Sequence, residues 1–207
     1  VSVGYSVENT GDFTDTQDIE FLVDGSEQDS VSRTVAPGDT TGGSFSASVS
    51  ETSSLTIKLR TDDDSASQSF SPDPSFFEIT SHSLDFNDGT ATGTYTVENT
   101  GDFEASRNIE FEVDGVVRDT ETPTLAPGQT ASGSFSVPAN DPGQNNYGLE
   151  VAIDSQDDRK SQTFTVDTAN FDVRSVNAGY DAGNQEADVN YDIRNTGDFP
   201  ATQTITT

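Results

Sequence analysis

Two acidic clusters are the residues best suited to chemistry in this 207-residue chain. Asp62, Asp63 and Asp64 form one, and Asp154, Asp157 and Asp158 form the other. They fall at corresponding places, in the loop before the last strand expected in their stretch of chain. Carboxylates crowded on a loop can hold Ca²⁺ through oxygen ligands. The ordered spacing and the glycine of an EF-hand loop are missing, and a solvated acidic loop is the reading the pattern favours. Ca²⁺ is therefore the one candidate cofactor, with these six aspartates as its candidate ligands.

Other chemistry finds less support. His82 is the sole histidine. It aligns with Val176 of a later copy of the same pattern, so it reads as a half-buried packing residue on a strand. A Ser-His-Asp site would need that histidine beside a serine on a strained turn, and no Gly-x-Ser-x-Gly motif is present. Pairs of Asp and Glu across strands could imitate a glycosidase dyad. With 37 acidic residues such pairs arise by chance. No catalytic and no cofactor-binding residue is assigned, and the chain does not read as an enzyme.

Charge narrows the setting. The net charge is −28 and the pI near 4.1, with only 9 Lys and Arg together. So dense an acidic surface repels itself and weakens the compact state. At about 1 M salt the Debye length is about 3 Å and that repulsion largely disappears. Acidic excess with few lysines resembles secreted proteins of halophilic archaea. A nucleic-acid partner is disfavoured, because binding needs basic side chains on the phosphates. Cys, Met and Trp are absent, so there is no disulfide framework or thiolate metal site. No apolar run is long enough to span a bilayer as a helix. The chain reads as soluble as given, or as a processed piece of something longer. No Asn-x-Ser/Thr sequon occurs.

The elements that must position these residues repeat. Glu8 to Phe13, Glu98 to Phe103 and Arg194 to Phe199 share Asn-Thr-Gly-Asp-Phe, each after an alternating run: Val1, Val3, Tyr5, Val7; Tyr95, Val97; Val189, Tyr191, Ile193. Period-two alternation marks a strand with one buried face. Asn then closes a turn on the backbone two residues on, and Gly is expected to take a positive φ. The segments at 19–25, 35–38 and 43–46 recur at 109–115, 125–128 and 133–136, an offset of 90 (109 − 19). Leu55, Ile57 and Leu59 recur as Leu149, Val151 and Ile153, an offset of 94 (149 − 55), so the second copy has a longer loop near 140–146.

The middle copy reads as strands near 77–86, 92–98, 108–113, 116–120, 132–137, 147–154 and 161–166. The first carries a phase slip after Ile79, shared by Phe171 and Val173 before Val176, which suggests a bulge or a switch between sheets. Asp114-Gly115 suits a type I′ hairpin, and Ala126-Pro127-Gly128 a type II turn. The fold class expected is all-β: tandem seven-stranded immunoglobulin-like antiparallel sandwiches. Residues 1–72 read as one such unit lacking its first strand, 75–166 as a complete unit, and 169–207 as the first strands of a third. Residues 187–207 duplicate 1–21, so both ends carry the same strand and cannot complete each other. A window cut from a longer tandem array fits better. The linkers, Pro72-Asp73-Pro74 and Asp167-Thr168-Ala169, are short, and the prolines stiffen the first.

The complete unit resembles the cell-adhesion-related CARDB-type domain. The resemblance rests on Val97 to Asp102, Val113-Asp114-Gly115, Leu125 to Gly128, Ser132 to Phe135 and Val151 to Asp154. It implies an immunoglobulin-like sandwich used as a tandem module of extracellular surface proteins, some of them adhesins and some secreted enzymes. Members commonly carry an acidic, Asn-rich stretch before the last strand; here 154–159 lacks the paired Asn. The function expected is a non-catalytic structural subunit or stalk of a surface filament, fibre or adhesin, self-associating end to end, with other surface proteins as further partners. The alternative is an accessory region of a secreted halophilic enzyme. Exposed aromatics on one face would favour the alternative, whereas Phe21, Phe45, Phe111 and Phe135 take inward parity.

Overall fold

The computed structural model describes residues 1–206, and every regular element in them is a strand. The chain forms two compact units, Val1–Ser75 with Gly101–Phe103, and Phe76–Thr100 with Glu104–Thr207.

In the first unit, β1 (Ser2–Glu8) pairs with β4 (Thr40–Ser46), and β3 (Ser26–Val35), β2 (Asp15–Val23), β5 (Leu55–Arg60) and β6 (Ser65–Phe70) form a four-stranded antiparallel sheet in that order. The core lies between the two sheets. Phe21 of β2 stacks on Phe45 of β4 at 5.6 Å, and Phe45 stacks on Tyr5 of β1 at 5.2 Å. Alternation explains the arrangement: one face of each strand carries Val, Ile, Leu or an aromatic, and burying it supplies about 25 cal/mol per Å².

The second unit repeats this plan with one more strand in the smaller sheet. Its three-stranded sheet runs β13 (Thr130–Pro138), β8 (Thr90–Asn99), β7 (Phe77–Asn87). The facing sheet runs β11 (Val116–Glu121), β10 (Ile109–Val113), β14 (Tyr147–Asp154), β15 (Arg159–Val166). Two short strands, β9 (Ala105–Ser106) and β12 (Thr124–Leu125), pair beside them. Phe111, Phe135 and Tyr95 reproduce the aromatic stack, at 5.2 and 5.6 Å. The register agrees as well: Val3 faces Phe45, and Gly93 faces Phe135. The hairpin β16 (Phe171–Asp181) and β17 (Glu186–Asn195) belongs to this unit, with Val176, Tyr180, Val189 and Tyr191 exposed.

The phase slip is a bulge in both copies, between Ile79 and Ser81 and between Val173 and Ser175. Asp114 and Gly115 both have positive φ, as a type I′ turn requires, and Gly128 has φ 71°. Asp24-Gly25 and Asp88-Gly89 turn in the same way. Asp24 Oδ1 accepts from the Thr56 amide at 2.7 Å, and Asp114 Oδ1 from the Glu150 amide at 3.0 Å.

Two expectations need correction. His82 is exposed. It lies opposite Tyr95 across the β7–β8 pair, on the outer strand of its sheet. The glycines of the Asn-Thr-Gly-Asp turns do not have positive φ; close backbone approach accounts for Gly101 and Gly197, as described below.

Candidate functional site

The two acidic loops sit where expected, each joining the last two strands of its four-stranded sheet. Their carboxylates do not converge. Among the described residues no group of three or more His, Cys, Asp or Glu is arranged to hold a metal ion.

In the second unit the loop carboxylates bind backbone. Asp157 Oδ2 accepts from the amide of Phe77 at 3.0 Å and from Arg107 Nε at 3.4 Å. Asp158 Oδ2 accepts from the amide of Ile79 at 3.0 Å, and its Oδ1 accepts from Lys160 Nζ at 3.0 Å. Ser155, fully buried, donates its hydroxyl to the carbonyl of Phe77 at 2.5 Å. The loop therefore grips the first residues of β7 at alternate amides, those that point away from β8. Hydrogen bonds to a charged acceptor are the strong ones. Burial alone would raise the Asp158 carboxyl, but Lys160 and the Ile79 amide outweigh it and hold it below the usual range. Asp154 bonds the Gln156 amide at 2.6 Å and lies 3.9 Å from Arg159, whose guanidinium also reaches Glu112 and Glu150 at 3.0 Å.

The first unit has the same loop without the strand. Offset 94 places Asp63 and Asp64 at Asp157 and Asp158, and Thr61 at Ser155 (155 − 61). Asp63 accepts from Gln17, the counterpart of Arg107 at offset 90. Thr61 and Asp64 close the loop on each other, with the Thr61 amide donating to the Asp64 carbonyl at 2.8 Å. Asp62 is exposed.

The recurrent turn turns out to be a clasp. In the third copy Asn195 Oδ1 accepts from the amides of Gly197 and Asn170, both at 3.1 Å, and its Nδ2 donates to the Phe199 carbonyl at 2.7 Å. Asp198 and Asp167 bond reciprocally: the Asp198 amide donates to the Asp167 carbonyl at 3.0 Å, and the Asp167 amide to Asp198 Oδ2 at 2.7 Å. A Cβ on Gly197 would stand 2.0 Å from the Thr168 carbonyl oxygen, so only glycine lets the linker lie against the turn. The same reciprocal pair joins Asp73 and Asp102 at 2.8 and 2.9 Å, and a Cβ on Gly101 would meet the Pro74 carbonyl at 2.0 Å. Phe199 then enters the core, 2% exposed, with its ring 5.3 Å from that of Phe86.

In the first copy Asn9 makes the internal bonds, accepting from Gly11 at 2.9 Å and donating to Phe13 and Val35 carbonyls at 2.8 Å. Its phenylalanine, Phe13, is 84% exposed. Sequence reasoning missed the clasp because it treated the motif as a local turn. The signal available was the aspartate in each linker, Asp73 and Asp167, ahead of a motif aspartate.

Packed sheets, inward aromatics and an edge strand tied by an acidic loop define an immunoglobulin-like β-sandwich module. Residues 77–163 match the model of the CARDB family. CARDB is a cell-adhesion-related family of immunoglobulin-like domains, typical of cell-surface and extracellular proteins and generally non-catalytic. Comparison with curated proteins found no match.

Proposed function

We propose that this chain is a non-catalytic structural stretch of an extracellular surface assembly, a filament, fibre or stalk made of tandem CARDB-type domains. The observation that carries the reading is the CARDB match at 77–163 together with the clasp, in which linker and turn bond reciprocally at two successive junctions. A module whose most specific residues hold its own linker is built for continuity of chain rather than for turnover. The division into 1–72, 75–166 and 169–207, the end-to-end self-association and a halophilic, archaeal source belong to the same proposal. The charge of −28 supports the last of these.

Electron microscopy of native material, with its polypeptide length from mass spectrometry, tests the proposal. A regular axial repeat of one or two domains is expected. Compact, monodisperse particles at high salt would favour the second reading, an accessory region of a secreted enzyme. That reading gains one observation: Tyr180 and Tyr191 are exposed on one hairpin.

Ca²⁺ at Asp62–Asp64 and Asp154–Asp158 is part of the proposal and has its own test. If the ion binds there, Asp157→Ala with Asp158→Ala abolishes Ca²⁺-dependent stabilisation in thermal melts. Unchanged Ca²⁺ dependence would remove these residues as ligands.

A further inference from the structure

A peptide bond from aspartate to proline is the kind most easily broken by acid. The prolyl nitrogen is a tertiary amide nitrogen without an N–H, and it leaves readily once protonated. The aspartate carboxyl can close a five-membered ring on its own carbonyl carbon. The chain has two such bonds, Asp73-Pro74 and Asp141-Pro142. The structure treats them differently. Asp73 stands in the first clasp with its backbone fixed at both ends. Its amide donates to Asp102 Oδ2 at 2.8 Å, and its carbonyl accepts from the Asp102 amide at 2.9 Å. Just beyond the bond, Ser75 gives its amide and hydroxyl to Glu51 Oε1 at 2.5 and 2.8 Å. The exposed side chain of Asp73 is the part of the residue that the clasp does not use.

Two other aspartates serve as internal comparisons. Asp141 also precedes a proline, but its carboxyl is engaged: Oδ1 accepts from the Gly143 amide at 2.8 Å and Oδ2 from the Ala169 amide at 3.1 Å. Those bonds, Gly143 first, hold the carboxyl below the usual range and so resist its protonation. Asp167 has the same clasp as Asp73, through Asp198. It is followed by Thr168 rather than proline, and its Oδ1 accepts from the Asn146 amide at 2.7 Å. Of the three, Asp73 alone combines a proline, a carboxyl outside the clasp and a carbonyl that already accepts a fixed N–H.

We infer that Asp73-Pro74 is a self-cleaving bond, opened in acid by the Asp73 carboxyl and activated by the Asp102 amide. One oxygen of the protonated carboxyl attacks the Asp73 carbonyl carbon and forms the new C–O bond. The carbonyl π pair moves onto its oxygen, where the Asp102 N–H meets the growing negative charge. The carboxyl proton passes to the Pro74 nitrogen, and the C–N bond breaks with its electron pair on that nitrogen. The products are a cyclic anhydride at residue 73 and a free prolyl amine at residue 74. Water then opens the anhydride to two carboxyl groups. Attack within one residue has the advantage of an intramolecular reaction. The ionisable groups bonded to this segment are Asp102 and Glu51, which accept from the Asp73 and Ser75 amides. The reaction therefore needs acid strong enough to protonate Asp73 and mild enough to leave those two carboxylates bonded, near the ordinary carboxyl range of about pH 4. It is a single-turnover autolysis that divides the chain into residues 1–73 and 74–207.

The test incubates the purified 207-residue chain in molar KCl at the lowest pH at which circular dichroism keeps the native spectrum, and follows fragments by intact-mass spectrometry. Fragments 1–73 and 74–207 are expected, with Asp73-Pro74 cut about tenfold faster than Asp141-Pro142. In guanidinium at the same pH the two bonds should be cut alike, because neither then has its folded surroundings. Asp73→Glu should slow the cut about tenfold or more, since a six-membered ring must close instead. The clasp uses only the backbone of residue 73, so this variant leaves it in place, and an unchanged native spectrum checks that. Pro74→Ala should stop the cut by restoring a poorer leaving group. The inference is overturned if the folded chain stays whole over weeks, if both bonds are cut alike while it is folded, or if Asp73→Glu is cut as fast as the parent. The last outcome would assign the cut to a contaminating acid protease.

Discussion

At the scale of single residues, the turn glycine and the buried tyrosine carry the clearest consequences. Gly197 lies so close to the Thr168 carbonyl that a methyl group must push backbone away from backbone. Gly197→Ala should therefore cost about 1–3 kcal/mol, the range for overpacking, and speed amide exchange at Asp167 and Asp198. Gly11→Ala is the internal comparison: its Cβ would meet only Asn9 Oδ1, at 3.3 Å, and a change within about 0.5 kcal/mol is expected. Chemical denaturation of both variants decides the point. Tyr95 donates its hydroxyl to Glu121 at 2.7 Å. Burial first, and the Glu121 carboxylate second, raise its pKa well above the usual value. The folded state thus keeps the proton that the unfolded chain gives up near pH 10. Tyr95 should contribute fully below pH 10 and lose its contribution as pH rises beyond it. Unfolding of Tyr95→Phe should show a smaller alkaline loss than the parent between pH 9 and 11.

At the scale of elements, the same motif ends in a plug or in an exposed ring, according to what its phenylalanine meets. Phe199→Ala should destabilise the second unit by about 3–5 kcal/mol, as for other buried aromatics, while Phe13→Ala should be close to neutral because Phe13 is 84% exposed. Urea unfolding monitored in the second unit distinguishes the two. Most strands were legible because alternation and turn residues act locally: Tyr147–Asp154 is predicted to the residue, and the shared phase slip marks the bulges at Ile79/Ser81 and Val173/Ser175. What escaped depends on partners far along the chain. The hold of Asp157 and Asp158 on β7 spans about 80 residues and leaves no periodic trace. His82 has the right parity for a core but an outer strand to stand on. The short β9–β12 pair, two residues on each side, is below what alternation can register.

At the scale of the whole molecule, charge dominates. Nine basic residues face 37 acidic ones, and the ion pairs fall on Arg60, Arg107, Arg159, Lys160 and Arg174. Exposed pairs of this kind contribute little individually, so unpaired carboxylates set the long-range balance. Raising KCl from 0.1 to 3 M should raise the melting temperature, most steeply at the low end where screening changes fastest. A midpoint that stays flat across that range would remove the argument for adaptation to salt.

The hairpin turns bear on how long such a molecule lasts. An Asp-Gly bond ages when the following amide nitrogen attacks the aspartate carboxyl, closing a succinimide that reopens as isoaspartate. In the turns at Asp24-Gly25 and Asp114-Gly115 that carboxyl is already engaged across the sheet, by the Thr56 and Glu150 amides. Both turn residues are fixed at positive φ. Each carboxyl must give up that hydrogen bond before its carbon can meet the nitrogen that would consume it. For a protein without cysteine, methionine or tryptophan to oxidise, slow backbone isomerisation would otherwise be the main chemical clock, and the fold holds it back at two of its most vulnerable peptide bonds.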